Sequence, residues 1–190
     1  MAVEQRLLSY AIFLACLLLS SSSIFMNAQT VNYLFNSTAY LPSSRINQVS
    51  KSMMINCEDT SHSMIPILLR GSDGPSYVCG FYCTTGGSEC LFGILIFQGR
   101  LNTDGYLQSS KLVWSANRNN PVQRNATLQL KEDGDLVLAN SDGPLIWFTN
   151  TKGKPVSGLN LTEMGNLVLF GPNTDQFGSL ATIQPTHYCW

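Results

Sequence analysis

A short alternation of hydrophobic and polar residues runs through the second half of the chain, and one stretch of it occurs twice. Residues 128–139 read LQLKEDGDLVLA, and residues 159–170 read LNLTEMGNLVLF. In each copy leucines alternate with polar residues up to a turn at a glycine, and the alternation then resumes. This pattern predicts two half-buried antiparallel strands joined by a tight turn. Because a lone hairpin cannot bury its own apolar face, the repetition predicts a fold built from several such units.

Other short runs that combine aromatic and branched residues also predict strands, because turn residues bound them. These predicted strands are Met64–Leu69, Tyr77–Tyr82, Leu91–Phe97, Lys111–Asn117 and Leu145–Thr149, with a loop over residues 100–110. Trp147 follows the first hairpin, so a third strand with a tryptophan is expected near Gly178 after the second hairpin. The sequence there shows neither the tryptophan nor a repeat.

The first 28 residues have the pattern of a signal peptide. A basic start is followed by the apolar run Tyr10–Leu19, by serines and by a cleavage site before Gln29. An uncleaved membrane anchor is the alternative, but the run is shorter than the roughly 20 apolar residues that a span needs. No later segment approaches that length. We therefore expect a mature, secreted chain without a stable membrane span.

Residues 29–62 form a segment rich in Asn, Ser and Thr, with a few scattered aromatic residues. Two interpretations are open for this N-terminal arm. It is either a mobile segment or an extended segment that packs on the sheets through its aromatic side chains.

The composition favours an all-β extracellular protein. The 190 residues carry a net charge of −1, and no basic stripe is present to neutralise phosphates, so nucleic-acid binding is disfavoured. Gly, Ser, Thr and Asn are abundant, and strong helix formers are few. Three N-glycosylation sequons, at Asn36, Asn125 and Asn160, agree with a secreted glycoprotein.

The cysteines also fit an oxidising compartment. Outside the signal peptide lie Cys57, Cys79, Cys83, Cys90 and Cys189, an odd number. The spacing of the middle three could suit metal ligands, but no histidine lies nearby, so disulfides are the better explanation and no metal site is expected. Cys83 with Cys90 would close a short loop. The partners of Cys57 and Cys79 stay undecided, and Cys189 has no assigned role.

Nothing in the sequence predicts an enzyme. The histidines are His62 and His187, and neither lies in a nucleophile motif. No phosphate-binding glycine loop precedes a helix, and no cofactor is implied. Glycosidase chemistry would require two carboxyl groups on facing walls of a cleft, an arrangement for which the sequence offers no sign.

The segment VWSANRNNP at 113–121, followed by the two spaced hairpins, resembles the bulb-type, mannose-binding-like lectin domain. The resemblance is to the plant S-domain group, which includes S-locus glycoproteins, receptor-like kinases with a bulb-lectin ectodomain and secreted epidermis-type glycoproteins. Residues 79–83, CGFYC, look like a segment of one branch. The resemblance covers about residues 66–173 and implies a β-prism, in which three four-stranded subdomains surround a pseudo-threefold axis with tryptophans near its centre.

The resemblance also sets expectations for the domain organisation. It implies a bulb-type lectin domain over residues 63–173 and a divergent tail over 174–190. Family members usually continue with a tryptophan and further domains, whereas this chain departs near Thr174. We therefore expect a truncated member without a kinase domain, and two alternatives are open for the prism, which is either closed or incomplete at its C-terminal end.

In bulb lectins the mannose motif is Gln-x-Asp-x-Asn-x-Val-x-Tyr, whose polar side chains bind sugar hydroxyls while Val contacts the ring carbons. The two copies here are altered, and the second lacks the central carboxylate. The candidate carbohydrate-binding residues are Lys131, Asp133, Asp135, Val137, Asn166 and Val168. The alternative is that the two aspartates only shape a hairpin turn and that the valines are ordinary strand residues.

The resemblance implies a secreted glycoprotein that recognises a carbohydrate or glycoprotein in the plant apoplast or cell wall, with mannose-type glycans as candidate ligands. The competing hypothesis is a truncated ectodomain that acts as a protein-interaction or decoy module, without sugar binding. Its partner would be a receptor or a cell-wall protein.

Overall fold

The computed structural model describes residues 36–41, 43–46, 55–57, 62–71, 75–84, 86–98, 106–107, 109–173 and 176–181. The predicted signal peptide, His187 and Cys189 lie outside the described residues. The described residues form strands and turns and contain no helix, so the all-β prediction is confirmed.

The described residues form fourteen strands in chain order. They are β1 (Thr38–Tyr40), β2 (Ser43–Ile46), β3 (Ile55–Cys57), β4 (His62–Arg70), β5 (Pro75–Thr84), β6 (Cys90–Gln98), β7 (Tyr106–Leu107), β8 (Lys111–Ser115), β9 (Thr127–Leu130), β10 (Leu136–Ala139), β11 (Leu145–Phe148), β12 (Gly158–Leu161), β13 (Leu167–Phe170) and β14 (Gln176–Ala181). Each strand predicted from the alternation is present.

The strands make three sheets. Sheet A has the order β1-β12-β13-β14, sheet B has the order β11-β10-β9-β2, and sheet C has the order β7-β3-β4-β5-β6-β8. The pairs are antiparallel except for β3 with β7. Each repeated hairpin is therefore the centre of its own sheet.

The N-terminal arm supplies one strand to each sheet. β1 pairs with β12 of sheet A, β2 pairs with β9 of sheet B, and β3 pairs with β4 of sheet C. Within the described residues, the arm is therefore extended and pairs with the sheets through its backbone.

The tail also contributes to the fold. Residues Gln176–Ala181 form β14, which pairs with β13 and gives sheet A its fourth strand. The third strand expected near Gly178 is therefore present, and sheet A has four strands although this segment lacks the tryptophan and the repeat. The reason is physical: the free edge of β13 offers backbone groups that pair with a neighbouring chain segment whether or not that segment has a strong alternation of its own.

The missing tryptophan, in contrast, is a real difference between the sheets. Trp147 lies opposite Leu138 in sheet B, and Trp114 lies opposite Ile94 in sheet C. At the equivalent place in sheet A, Gly178 lies opposite Leu169. Register irregularities occur at this place in all three sheets, so the sheets are equivalent units of a β-prism.

The core lies between the three sheets. Three aromatic rings meet there: Phe92 and Trp114 have centroids 6.0 Å apart, Phe92 and Trp147 6.1 Å, and the two tryptophans 6.2 Å. The leucines of both repeated hairpins are buried around them. The apolar side of the alternation therefore faces the prism axis, as the pattern predicted.

Sheet C differs from the other two because both of its faces are covered. Its second face carries a separate buried cluster of Met64, Leu69, Val78, Leu95, Phe97 and Leu107. Sheets A and B instead have exposed side chains on the face away from the axis. Within the described residues, sheets A and B are therefore the sheets with an open outer face for a ligand.

Two cysteines form a disulfide and one does not. Cys83 and Cys90 are bonded, with their Cα atoms 4.1 Å apart. Cys79, considered as a disulfide candidate from the sequence, is instead a free thiol buried in the core. It lies opposite Ile94, as Leu128 lies opposite Leu138, so it fills a position that a leucine occupies in sheet B. The side chain of Cys57 lies outside the described residues.

Candidate carbohydrate-binding face

The motif residues start at the tip of each repeated hairpin, and both tips have the same geometry. Gly134 has φ +90° and Gly165 has φ +79°, a backbone conformation that side chains disfavour. Gly134 N–H donates to the carbonyl of Lys131, and Gly165 N–H donates to the carbonyl of Thr162. The glycines in the repeat are thus explained by the turn.

Asp135 is held inside this turn. Its Oδ1 accepts hydrogen bonds from the Thr149 hydroxyl at 2.8 Å and from the Thr151 N–H at 3.0 Å. Burial raises the pKa of Asp135, but these bonds, with further ones from the Thr151 hydroxyl and the Asn150 backbone, outweigh it and lower the pKa below its usual value. The carboxylate therefore ties the hairpin to the chain after β11.

Asp133 is the more accessible of the two carboxylates. Its Oδ1 accepts a hydrogen bond from Asp135 N–H at 3.3 Å, and its Oδ2 lies 3.7 Å from Lys152 Nζ. The side chains of Asp133 and Lys152 are 37% and 76% exposed. A pair this exposed contributes at most about 1 kcal/mol, so a ligand hydroxyl could replace the lysine at little cost.

Beyond the turn, β10 leads onto the outer face of sheet B. Val137 lies between Gln129 on β9 and Phe148 on β11, and Ala139 lies opposite Leu145. Phe148 is 51% exposed and Leu145 is 59% exposed. We call these five residues the outer strip. Val137 itself is buried, because its neighbours on both sides shield it.

The sequence did not reveal Phe148 and Leu145 as surface residues. All four residues of β11 are apolar, so no alternation of polar and apolar residues indicates which of its side chains face the solvent. The irregular register at Leu138 and Ala139 passes over Ile146, and both Ile146 and Trp147 pack on the core. The bulge therefore places Leu145 on the outer face, whereas Phe148 faces outward by ordinary alternation with Trp147.

The second copy of the motif lies on a different sheet, away from the first. Val168 is buried on sheet A opposite Asn160, and Asn166 N–H donates to the Thr162 hydroxyl at 3.0 Å. Met164, at the tip, is 61% exposed. The predicted residues therefore divide into two sets, with Lys131, Asp133, Asp135 and Val137 on sheet B and with Asn166 and Val168 on sheet A.

Sheet C has no counterpart of the motif. Gly93 lies opposite Ser115, as Val137 lies opposite Phe148. The next outward position is Leu95, which is buried in the second apolar cluster. The sequence signal was absent here because the hairpin of sheet C lacks the repeat.

The three sequons have different surroundings. Asn36 and Asn125 are exposed, and Asn125 has φ +63° in the turn before β9. Asn160 is half-buried in β12, where its Oδ1 accepts a hydrogen bond from the Thr38 hydroxyl at 3.0 Å.

The described residues contain neither a metal-binding cluster nor a membrane-spanning helix. Within them, no three His, Cys, Asp or Glu side chains lie close enough to hold a metal ion. Among the same residues, no helix is long and apolar enough to cross a membrane.

Residues 111–183 match the family model described as D-mannose binding lectin. The match begins at the first residue of β8 and includes β14, so the family pattern extends past the boundary at residue 173 expected from the sequence.

Similar proteins come from plants. EP1-like glycoprotein 3 of Arabidopsis thaliana is 53% identical over 85 residues, 44% of this chain and 18% of that protein. Epidermis-specific secreted glycoprotein EP1 of Daucus carota is 40% identical over 79 residues, 42% of this chain and 20% of that protein. G-type lectin S-receptor-like serine/threonine-protein kinase SD2-5 of Arabidopsis thaliana is 32% identical over 98 residues, 52% of this chain and 10% of that protein.

The chain thus spans a fifth or less of the length of these relatives. Among solved structures, the Polygonatum cyrtonema lectin complexed with monomannoside gives a TM-score of 0.42 at 21% identity, over 72% of this chain and 90% of that one. Residues 111–183 therefore match the D-mannose binding lectin family model, and the chain is similar over part of its length to EP1-like glycoproteins and to G-type lectin S-receptor-like kinases of plants.

Proposed function

We propose that the chain is a secreted, extracellular glycoprotein that recognises a carbohydrate or a glycoprotein with the outer face of sheet B. Recognition is by binding alone, without catalysis, cofactor or metal. In this proposal residues 1–28 are a signal peptide, and the lectin domain of residues 63–173 works together with the strands that flank it.

The observation that carries the proposal is the exposed ring of Phe148 beside Val137, on the same strand face as the motif. Sugars have apolar ring faces and polar edges, and their sites combine aromatic surface with a few fixed polar groups. Phe148 offers the apolar surface at one side of the strip. Gln129 lies exposed at the other side, and Asp133 offers a carboxylate at the tip.

The same geometry argues against tight binding of mannose in the manner of the intact motif. Asp135 has its Oδ1 committed to Thr149 and Thr151, so this oxygen is not free for a sugar hydroxyl. Ala139 stands where the motif has a tyrosine and lacks its ring and hydroxyl. Each lost polar contact costs about 1–3 kcal/mol, so we expect weak affinity, centred on Phe148 and Asp133.

The comparisons support this proposal at the level of the family. The matching family model is described as a mannose-binding lectin, and a carrot relative is named as a secreted glycoprotein. Recognition of mannose-type glycans in the apoplast or cell wall is the corresponding role for this chain.

A glycan array probed with the folded, secreted chain tests the proposal. We expect retention on a subset of glycans, competition by the free sugar, and a loss of binding of about tenfold for Phe148→Ala and for Asp133→Ala, the size expected when about 1.4 kcal/mol is removed. Asp142→Ala, at an exposed turn outside the strip, is the matched control and should bind as the parent does. Absence of binding to every glycan on a broad array would remove the proposal.

A second candidate function is protein interaction or a decoy role without sugar binding, with a receptor or a cell-wall protein as partner. The observation that favours it is the apolar character of the strip, where Leu145 and Phe148 are both more than half exposed. This alternative predicts binding to enzymatically deglycosylated apoplastic proteins, abolished by Leu145→Asp. Binding that disappears on deglycosylation of the partner would exclude it.

A further inference from the structure

We propose that an N-linked glycan on Asn160 lies across Tyr40 and Phe170, and that it covers the outer face of sheet A, where the second copy of the motif lies. The inference rests on the proposed passage through the secretory route. The candidate sugar site lies on sheet B and gives no role to the outer face of sheet A. The present proposal states what covers that face.

Asn160 is placed with its side chain on the outer face of sheet A. It lies between Thr38 on β1 and Val168 on β13, and it is half-exposed in the middle of the strand. Its Oδ1 accepts the hydrogen bond from Thr38, whereas the linkage to a glycan uses Nδ2. Among the residues that the structure describes, Nδ2 has no hydrogen-bond partner, so the folded position is compatible with a sugar on this atom.

The next row of the same face is aromatic. Tyr40 and Phe170 both lie opposite Gly158, and their rings meet edge to face with centroids 5.6 Å apart. Tyr40 is 67% exposed, a large fraction for an aromatic side chain in a sheet. This row is two residues along β12 from Asn160, a distance of about 7 Å at the usual rise of a strand. The first sugars of a glycan on Asn160 can therefore pack on the two rings.

The glycine between the rings is part of this surface. A Cβ at Gly158 would lie 2.5 Å from the ring of Phe170 and 2.5 Å from the carbonyl oxygen of Ala39. The ring of Phe170 thus occupies the space over Gly158 that a side chain would otherwise fill. An apolar floor of this kind suits the apolar face of a sugar ring.

A tethered sugar is the occupant that these contacts can hold. The hydrogen-bonding groups for a free sugar are reduced here, because Met164 replaces the central carboxylate of the motif and Phe170 lacks the terminal hydroxyl. A glycan attached to Asn160 needs few contacts, because attachment gives it a high effective concentration at this face. Asn125, by contrast, is an exposed turn residue without a described ring contact.

The modification itself takes place on the chain before it folds. Asn160 Nδ2 attacks the anomeric carbon of a lipid-diphosphate-linked oligosaccharide. The N–C bond forms, the C–O bond to the lipid diphosphate breaks, Nδ2 loses a proton, and the lipid diphosphate leaves. The Thr162 hydroxyl, which completes the sequon, is bonded to Asn166 N–H only in the folded hairpin.

The test uses the full chain secreted from a eukaryotic cell line, with peptide mass spectrometry as the first readout. We expect the peptide with Asn160 to carry a glycan, and Asn160→Gln to lose it. The second readout is nitration of Tyr40 by tetranitromethane. We expect Tyr40 to be protected in the glycosylated parent and to be nitrated at least fivefold faster in Asn160→Gln.

Two controls keep the test interpretable. Asn125→Gln should leave Tyr40 as protected as in the parent, and Thr162→Ser, which keeps the sequon, should do the same. Thr162→Ala is a second route to the unglycosylated face if Asn160→Gln fails to fold. An unmodified Asn160 in the folded protein, or equal nitration of Tyr40 with and without the glycan, would overturn the proposal. Glycan binding by sheet B is measured separately on the array, so the two proposals fail independently.

Discussion

The Thr149 hydroxyl donates a hydrogen bond of 2.8 Å to the Asp135 carboxylate and thereby joins the tip of the first hairpin to the end of β11. The same hydroxyl lies 3.0 Å from Leu136 N, which donates to it. Thr149 is thus a bridge between two strands of sheet B. Removal of the Thr149 hydroxyl takes a donor from the Asp135 carboxylate and an acceptor from Leu136 N–H.

We predict that Thr149→Val lowers the free energy of unfolding by about 1–3 kcal/mol, because it removes a hydrogen bond to a charged group and leaves Leu136 N–H unpaired. Denaturant unfolding of the parent and the variant measures the difference. Thr127→Val, at a half-exposed position of the same sheet, is the control and should change stability by less than about 0.5 kcal/mol. Equal effects of the two substitutions would contradict the assigned role.

A second prediction concerns pH. Hydrogen bonds lower the pKa of Asp135 in the folded chain, so its charged form stabilises the fold above the ordinary aspartate pKa of about 3.9. This contribution disappears as the pH falls through the lower folded pKa. The Tm difference between the parent and Asp135→Asn should therefore be largest near pH 7 and shrink toward pH 2.

Asp142→Asn serves as the reference for this experiment, since Asp142 is an exposed turn residue outside the Asp135 network. Its Tm difference from the parent should vary little over the same pH range. A constant difference between Asp135→Asn and the parent from pH 7 to pH 2 would show that the charge of Asp135 has no structural role.

The strands with strong internal signals were predictable from the sequence. The leucines of residues 128–139 and 159–170 alternate, and their glycines mark turns with positive φ, so both hairpins were found with nearly their observed bounds. The equivalence of Gly178 with Trp147 was also predictable from the repeat offset. It is confirmed by the register of β14 on β13.

The other strands depend on partners that are distant in the sequence. β1 pairs with β12 although Thr38 and Asn160 are 122 positions apart, and nothing within the arm specifies that choice. β14 joins the edge of β13 through backbone groups, which carry no sequence signal. Leu145 faces outward because of the irregular register in β11, and bulges leave little trace in an all-apolar segment.

Two neighbouring residues of β11 should respond differently to truncation. Trp147 packs in the aromatic core, whereas Phe148 is half-exposed on the outer strip. Trp147→Ala should lower the free energy of unfolding by roughly 3 kcal/mol, and Phe148→Ala by less than about 1 kcal/mol. Denaturant unfolding measures both. If Phe148→Ala destabilises as strongly as Trp147→Ala, the register of β11 differs from the one described.

Asn117, in the segment that first suggested the family, has a structural role. It is buried, its Oδ1 accepts a hydrogen bond from Phe92 N–H at 2.8 Å, and its Nδ2 donates to the carbonyls of Cys90 and Asn120. The side chain therefore fastens the end of β8 to β6. Asn117→Ala should cost about 2–3 kcal/mol, because it leaves Phe92 N–H buried without an acceptor.

Thermal and denaturant unfolding of Asn117→Ala test this role against Asn119→Ala, an exposed neighbour in the same turn. The Asn119 variant should be within about 0.5 kcal/mol of the parent. Asn117→Asp provides a further check, because it keeps the acceptor for Phe92 but turns the donor into an acceptor that faces two carbonyls. An Asn117→Ala or Asn117→Asp variant as stable as the parent would contradict the described hydrogen bonds.

The buried thiol of Cys79 gives the last prediction. Cys79 is fully buried, and burial raises the pKa of its thiol well above the ordinary value. Since the thiolate is the reactive form, the native chain should label very slowly with iodoacetamide at this position, and the rate should not rise between pH 7 and pH 9. Peptide-resolved mass spectrometry isolates the position from other cysteines, and denatured protein should label fully. Cys79→Ser should cost about 1–3 kcal/mol by placing a hydroxyl in the core, whereas Cys79→Ala should cost less. Fast native labelling that rises tenfold per pH unit would show that Cys79 is accessible and does not fill the leucine position of sheet C.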